Sequence, residues 1–356
     1  MLAKKVVYIL SFCLTIVLFN GCDGTIEPEI QDDMEVVYLT ITRAYAAGQE
    51  TFNDDEVDFE DRVHDLAMLV FDSSTGEKVC EYFDANISFS EKRKTFTVKL
   101  IPGQRDFYFV ANMPMAELQT IADKTAMEGY MSRLNGFDTS FYLQATREKG
   151  FPMSRVYLNQ QITKGGTIYQ PEPFSPDGEE RVRLIRIVAK LEIILTGNPE
   201  TVDYITYHNA YTQFQFKMPE IDTPTNGFHS GNLSFTSPIT TPVSDTLIYY
   251  MPEAVMSAVA WDSLSTTANR PINYFTIHTF NNKIYEVPIV VNGTAAQTNY
   301  VSFAKGQEPA NATSPNYSIV RNNLYRYTIN MPIEDYYIAV HAEVLPWLRR
   351  SQKIEF

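Results

Sequence analysis

Cysteine, tryptophan and basic residues are all scarce in this chain of 356 residues, which contains 3 Cys and 2 Trp. So few cysteines exclude a disulfide framework and a multi-cysteine zinc site. The chain has 29 Lys and Arg against 43 Asp and Glu, so its formal net charge is −14 at pH 7. This balance excludes a nucleic-acid partner, because the neutralisation of phosphates requires a basic protein face.

Signatures of catalysis are also missing. The sequence contains no HExxH, GxSxG, P-loop or GxGxxG motif, and its five histidines show no metal-ligand spacing. An acidic run at residues 54–61 lacks the glycine and the closing glutamate of an EF-hand loop, which indicates a solvated loop. We therefore expect a protein that is not an enzyme and that holds no cofactor and no metal.

Aromatic residues are abundant instead, with 22 Tyr and 22 Phe. Aromatic residues favour strands, and short alternating segments separated by turn signals recur from residue 63 onward, as in β-sandwiches. The predicted fold class is mostly β, with two tandem β-sandwich domains and one or two short helices. Residues 114–134 are the clearest helix candidate because their apolar positions follow a period near 3.6. The Pro- and acid-rich stretch from Pro171 to Glu180 is the expected linker.

Residues 1–21 are typical of an export signal, with Lys4 and Lys5 ahead of an apolar run. That run is too short to span a bilayer comfortably as a permanent helix. Gly21-Cys22 follows at its end and resembles the lipobox of bacterial lipoproteins. The resemblance implies that Cys22 is acylated and becomes the new N-terminus; the alternative is an ordinary signal peptide with an incidental cysteine.

A strand is predicted directly after an acidic tether at residues 23–34. Its apolar residues Val37, Leu39 and Ile41 alternate with polar ones and share one face. Arg43-Ala44 comes next, ahead of a glycine-containing acidic loop, and a trypsin-like protease can cut at such a junction. An uncut surface arginine is the alternative interpretation.

Several segments resemble, in order along the chain, the fimbrillin family of type V pilins and its FimA-like major fimbrial subunits. Val36–Phe71 has the family's order of short strand, Arg-Ala, acidic loop and apolar strand, and Phe109–Asn112 before the helix is similar to the middle of the first domain. Four further segments match recurrent family motifs: Arg186–Lys190, Tyr250–Glu253, Arg321–Tyr327 and Val344–Trp347.

The resemblance implies two transthyretin-like β-sandwich domains, at 44–180 and 181–356, behind a propeptide at 22–43. It implies a lipoprotein precursor at the cell outer membrane that a trypsin-like protease cuts between Arg43 and Ala44. The product would then polymerise head to tail in an extracellular fimbrium. The implied partners are other pilin subunits in a homopolymer, anchor and tip subunits, the protease, and the outer membrane through the lipid.

The same resemblance implies that loss of the first strand opens a groove for a C-terminal strand of the next subunit. The candidate donor lies within residues 336–356, where alternating apolar positions match those of the removed strand: Ile338, Val340, Ala342 and Val344. Residues 336–345 have an alternative as a permanent strand of their own sandwich. The tail Leu348–Phe356 also has apolar positions and could form part of the donor.

Two other functions stay open from the sequence. One is an uncleaved anchor or tip subunit of the same pilus, which would keep its lipid and its first strand. The other is a surface lipoprotein that binds glycans through exposed aromatic side chains, for which Tyr249, Tyr250 and Trp261 are the candidates.

Overall fold

The structure of the chain is a computed structural model. It describes residues 36–44, 60, 62–87, 94–136, 150–179, 181–211, 213–217, 232–238, 246–254, 273–289, 298–304, 318–332 and 337–346. The signal segment, Cys22 and the acidic tether lie outside these residues. All the described helices and strands belong to one compact unit.

The described elements are almost all strands, which confirms the predicted fold class. In chain order the first ten strands are β1 (Val37–Ala44), β2 (Leu66–Asp72), β3 (Lys78–Asp84), β4 (Lys94–Leu100), β5 (Gly103–Ala111), β6 (Asn135–Gly136), β7 (Met153–Ile162), β8 (Glu172–Pro173), β9 (Val182–Arg183) and β10 (Ile185–Arg186). The next ten are β11 (Val188–Gly197), β12 (Val202–Tyr211), β13 (Gln213–Phe214), β14 (Asn232–Pro238), β15 (Thr246–Pro252), β16 (Tyr274–Thr279), β17 (Ile284–Pro288), β18 (Thr298–Ala304), β19 (Asn323–Met331) and β20 (Tyr337–Pro346). The helices are α1 (Met115–Gln119) and α2 (Lys124–Ser132).

Two sheets form the first sandwich. One has the order β4-β1-β8, with β9 also paired to β1, and the other has the order β10-β7-β5-β2-β3. Side chains from both sheets share one apolar core, which includes Ile41 and Phe96 from the first sheet and Met68 and Phe109 from the second. This shared core identifies the pair of sheets as a β-sandwich.

The second sandwich is built in the same way. Its sheets have the orders β15-β11-β19-β20-β18 and β14-β12-β16-β17. Their common core includes Leu191 and Ile329 on one side and Tyr207 and Ile277 on the other. Strand β11 pairs in parallel with β19, although more than 120 residues separate Lys190 from its partner Leu324.

A third core joins the two sandwiches to the helices. It contains Leu69 and Tyr108 from the outer face of the first sandwich, Leu118 and Met127 from the helices, and Leu324 from the second sandwich. Strand β2 is therefore buried on both faces, with all of residues 66–71 buried. This explains why its sequence LAMLVF is an unbroken apolar run rather than an alternating one.

The single helix expected at 114–134 is instead divided into α1 and α2. Ile121 N–H donates to the Leu118 carbonyl oxygen at 3.2 Å, which closes a tight turn after α1. Asp123 then caps α2 by accepting a hydrogen bond from the Ala126 N–H at 2.8 Å. An aspartate at this position starts a new helix because its carboxylate satisfies a first-turn N–H group.

The stretch expected as a linker belongs to the first sandwich. Strand β8 lies within it and pairs with β1, and Phe174 is buried against Phe107 with ring centroids 4.3 Å apart. Val182 and Leu184 are also buried in the first core. The proline and acidic residues thus mark short strands and turns on the surface of a sandwich, since their exposed side chains alternate with buried ones.

Among the residues that the structure describes, no helix has the length and apolar character needed to cross a membrane.

Candidate functional site

The first strand of the chain is an integral part of the first core. Val37, Leu39 and Ile41 in β1 are 0, 5 and 0% exposed. Alternation along the strand turns these three side chains to the same face, as the sequence predicted. Complete burial of such a side chain contributes about 1.5–3 kcal/mol, so β1 is a substantial part of the stability of this sandwich.

Strand β1 has neighbours on both of its edges. It is antiparallel to β4 from Val37 opposite Leu100 to Arg43 opposite Lys94. On the other edge it is parallel to two short strands, β8 and β9. Removal of β1 would therefore leave unpaired backbone groups on two facing edges, with an apolar core beneath them, which is a template for an incoming strand.

A tight loop covers the start of β1 on the β8 side. Tyr38 N–H donates to the Gly165 carbonyl oxygen at 3.4 Å. The next residue, Gly166, has φ of 70°, and a Cβ atom there would lie 2.7 Å from the Tyr38 carbonyl oxygen. Glycine is needed at this position because both the backbone conformation and the close approach exclude a side chain.

The Arg43–Ala44 bond lies at the C-terminal end of β1. Arg43 pairs with Lys94 on one side and Val182 on the other, and Ala44 pairs with Arg183. Strand ends open locally at lower cost than strand interiors, and protease cleavage requires such opening. The expected cleavage bond thus lies at an end of β1 and not in its interior.

The expected donor residues lie inside the second sandwich. Ile338, Val340, Ala342 and Val344 are 1, 0, 1 and 3% exposed in its core. Their strand β20 pairs with β19 on one edge and with β18 on the other. In this structure the segment has the geometry of a permanent strand, which is the alternative left open by the sequence. Its assignment as a donor stays a prediction.

The family-like motifs that the sequence separates come together between the two sandwiches. Lys190 Nζ lies 2.6 Å from Glu60 Oε1, and Tyr250 Oη donates to the same oxygen at 2.5 Å. Arg186 donates from Nε to the Glu60 carbonyl oxygen at 3.1 Å and from Nη1 to Asn322 Oδ1 at 2.7 Å. Glu60 is therefore held by residues from two of the motifs, and Asn322 of a third motif holds Arg186.

Glu60 is the residue that the sequence reasoning missed. It stands in the acidic run that was expected to be a solvated loop, and its side chain is 13% exposed. A carboxylate that leaves water needs a charged partner and hydrogen bonds. The sequence signal that could have identified Glu60 is its position near the end of the acidic run, shortly before the apolar strand β2.

Of the three candidate glycan-binding residues, the two that the structure describes do not form an exposed platform. Tyr249 is 4% exposed in the second core, and the Tyr250 hydroxyl is engaged with Glu60. Trp261 lies outside the described residues, as do Cys22 and the C-terminal tail. Across the described ranges, no group of three or more His, Cys, Asp and Glu side chains is arranged to hold a metal ion.

Two histidines meet at one hydroxyl group on the surface of the second sandwich. His208 Nε2 and His278 Nε2 each lie 2.9 Å from Thr276 Oγ1. Each imidazole stacks on a tyrosine across the strand pair: His208 on Tyr274 and His278 on Tyr204. Burial lowers the pKa of both histidines below the usual 6.5, because the charged form is poorly solvated there.

Sequence comparison places this geometry in a known context. The profile of fimbrillin-A associated anchor proteins Mfa1 and Mfa2 matches residues 31–353. The chain is also 40% identical over 329 residues to the minor fimbrium tip subunit Mfa3 of Porphyromonas gingivalis, and the alignment covers 89% of this chain and 71% of that protein.

Solved structures agree with the sequence matches. The tip fimbrial protein Mfa3 from Porphyromonas gingivalis, with a C-terminal truncation, superposes with a TM-score of 0.72 at 36% identity and covers 88% of this chain and 100% of that chain. A fimbrilin, FimA, from Porphyromonas gingivalis has a TM-score of 0.50 at 13% identity, with 88% and 99% of the two chains covered. This second likeness concerns the fold alone.

Proposed function

The chain belongs to the family of fimbrillin-A associated anchor proteins Mfa1 and Mfa2 and is a fimbrial subunit of the cell surface, and on that premise we propose how it matures and assembles. It is exported as a lipoprotein, with Cys22 acylated at the outer membrane. A trypsin-like protease cuts it between Arg43 and Ala44, and a C-terminal strand of a neighbouring subunit replaces β1. Its role is structural, without enzymatic activity.

The observation that carries this proposal is the position of β1. Three of its side chains fill the first core, both of its edges are paired, and a basic residue stands at its end. A strand with alternating apolar residues can replace it, antiparallel to β4 and parallel to β8 and β9. A head-to-tail exchange of this kind does not close on itself, so it extends a filament.

The donor is proposed within residues 336–356 of the neighbouring subunit. Strand β20 is paired on both edges, so its departure would open the second sandwich. We therefore assign the transferred part to residues 347–356, in which Leu348, Ile354 and Phe356 share one face of an extended chain.

The test is digestion of the full chain with a trypsin-like protease, followed by N-terminal sequencing and sizing of the products. The expected product begins at Ala44 and forms a ladder of multimers. Arg43→Ala should abolish both results, while Arg183→Ala is the matched control because Arg183 is an exposed basic residue in the neighbouring strand β9. A product that begins elsewhere, or multimers formed by Arg43→Ala, would contradict the proposal.

Truncation after Pro346 tests the donor assignment separately. The truncated chain should still be cut after Arg43 but should no longer multimerise. A synthetic peptide of residues 347–356 should then bind to the cleaved chain and raise its unfolding midpoint. Normal multimers from the truncated chain would rule out this donor.

A second candidate is the tip position, which the 40% identity to a tip subunit favours. A tip subunit accepts a strand from one neighbour and does not extend a homopolymer. Size measurements on the cleaved chain distinguish the two: a ladder of multimers indicates a shaft subunit. A cleaved monomer that binds a donor peptide but forms no ladder indicates a tip subunit.

A further inference from the structure

A second arginine, Arg62, follows the proposed cleavage site along the chain. Residues 44–61 contain no lysine or arginine, so Arg62 is the next basic residue after Arg43. A trypsin-like protease that cuts after Arg43 therefore meets a second cleavable bond at Arg62–Val63. Cleavage at both bonds would release residues 44–62, which include Glu60.

Loss of residues 44–62 would remove the contacts that Glu60 makes between the two sandwiches. The Glu60 carboxylate contacts Lys190, whose side chain is 8% exposed, and the Glu60 carbonyl oxygen accepts from Arg186, which is 1% exposed. Removal of Glu60 would withdraw a carboxylate from a buried ammonium group, which is costly in a region of low solvent access. The mature protein therefore needs Arg62–Val63 to stay intact.

The Asn112 side chain forms hydrogen bonds with backbone groups on both sides of the Arg62–Val63 bond. Its Nδ2 donates to the Arg62 carbonyl oxygen at 2.8 Å and to the Phe151 carbonyl oxygen at 2.6 Å. Its Oδ1 accepts from the His64 N–H at 2.8 Å. A serine protease must bind the scissile carbonyl oxygen in its own oxyanion hole. Here the Arg62 carbonyl oxygen already accepts a hydrogen bond from Asn112 Nδ2.

Close packing also restricts the access of a protease to the Arg62–Val63 bond. A Cβ atom on Gly150 would lie 2.4 Å from the Arg62 carbonyl oxygen and 2.4 Å from Asn112 Nδ2, so the Gly150 backbone lies directly against the peptide. Val63, the residue after the bond, is 8% exposed in the first core. The extended backbone that a protease requires is unavailable at Arg62 unless these contacts open.

We propose that Asn112 is a positioning residue that restricts maturation to Arg43–Ala44 by capping the Arg62 carbonyl group. This inference rests on the proposed maturation by a trypsin-like protease. The Arg43–Ala44 bond differs from Arg62–Val63 in that it lies at the end of a strand, where local opening is cheap. Of these two bonds, a protease of this specificity therefore cuts the first and not the second, because the contacts of Asn112 and Gly150 close the second site.

The principal test compares Asn112→Gly with the wild-type full chain under limited digestion by a trypsin-like protease. Asn112 has φ of 60°, which glycine tolerates, so the substitution removes the amide without backbone strain. Asn282→Gly is the matched control, since Asn282 is exposed and has φ of 64°. N-terminal sequencing and mass spectrometry then follow the rates at which Ala44 and Val63 appear as new N-termini.

We expect Val63 termini to appear about tenfold faster or more from Asn112→Gly than from wild type, because loss of the cap raises the population of the open peptide. Asn282→Gly should match wild type. An equal rate at Arg62 in Asn112→Gly and wild type, or an equal increase in Asn282→Gly, would overturn the inference.

Two readouts separate this result from unfolding and from the proposed function. Bonds after Arg186 and Arg321, which are 1 and 3% exposed, report global opening, and the inference requires that they stay uncut in Asn112→Gly while Arg62 is cut. Asn112→Asp keeps an acceptor for His64 N–H but loses both Nδ2 donors, so it should also expose Arg62. An Asn112→Asp chain as resistant as wild type contradicts the inference. Absence of Ala44 termini from every chain contradicts the maturation scheme, while the rate at Val63 still decides the role of Asn112.

Discussion

Arg321 and Glu253 form a buried ion pair that joins two segments 68 residues apart. Arg321 donates to Glu253 Oε2 from Nε at 2.9 Å and from Nη2 at 2.7 Å. The same guanidinium donates to the carbonyl oxygens of Phe216 at 2.9 Å and Gln215 at 2.8 Å. The Arg321 side chain, 1% exposed, thus joins the residue that follows β15, the start of β19 and the segment that packs on the helices.

Removal of either partner of this pair should destabilise the chain strongly. Arg321→Met leaves the Glu253 carboxylate buried without its guanidinium, and breaking a buried pair in this way costs about 3–5 kcal/mol. Urea unfolding at pH 7 measures the loss. The exposed pair Arg133–Glu117, with side chains 45 and 47% exposed, provides the control. Arg133→Met should cost less than about 1 kcal/mol, and equal losses at the two sites would contradict this account.

The Tyr250 hydroxyl should contribute to stability through its hydrogen bond to Glu60. Tyr250→Phe removes the donor that lies 2.5 Å from Glu60 Oε1, and a hydrogen bond to a charged group contributes about 1.5–3 kcal/mol. Glu60→Gln combined with Tyr250→Phe completes a double-mutant cycle in urea. A coupling energy near zero would show that the two side chains act independently.

The first strand should matter for the stability of the precursor and not for that of the assembled fimbria. Ile41→Ala removes buried atoms from the first core of the uncut chain and should cost about 2–5 kcal/mol. After cleavage and strand replacement, residue 41 is no longer in the subunit, so thermal unfolding of assembled material should be unchanged. Ile248→Ala is the control, since Ile248 is 36% exposed. An equal loss for Ile41→Ala in the assembled fimbria would refute strand removal.

Asp65 should make the folded chain less stable as the pH rises. It lines a surface cavity of about 240 Å³ together with His64 and Asn112. Burial raises the pKa of its carboxyl group from 3.8 to about 6. The folded state therefore binds more protons than the unfolded state between about pH 4 and pH 6, and the associated stability is lost as pH rises through about 6.

Asp65→Asn tests this directly. The variant keeps an acceptor for the Met113 N–H, which lies 3.2 Å from Asp65 Oδ1, and it cannot ionise. Relative to wild type, its urea midpoint should be higher at pH 8 than at pH 4.5. Glu200→Gln, at an exposed site, should show no such difference. A difference between Asp65→Asn and wild type that is independent of pH would rule out the role of ionisation.

His208 and His278 should produce the opposite dependence. Burial lowers the pKa of both, so the unfolded state binds more protons below about pH 6.5 and stability falls as the solution becomes acidic. His278→Gln should reduce the loss of stability between pH 7 and pH 5. Glu286→Gln should increase that loss, because the Glu286 carboxylate raises the pKa of His208. Thermal unfolding midpoints of the two variants and of wild type between pH 7 and pH 5 measure these changes. Equal losses in all three chains would contradict the role of the two histidines.

Local features were predictable where a short stretch of residues determines them. The alternation at Val37, Leu39 and Ile41 predicted the strand β1 and the face that it buries, and the apolar strand expected to end at Phe71 corresponds to β2. The separation of α1 from α2 was missed because Asp123 caps a new helix within an otherwise periodic segment. Burial of Phe174 was missed because proline and acidic neighbours conceal a single core residue.

The sequence by itself determined the strand-rich character, the family and the residues that occupy β1, since side-chain period and motif order are local or collinear properties. Only the tertiary structure decided that β1 is paired on both edges, that β20 lies between two strands of its own sheet, and that Glu60 meets Lys190. It also decided that Asn112 caps the Arg62 carbonyl group. These are contacts between residues far apart in the chain, and they depend on how complete sheets pack rather than on the pattern within any one segment.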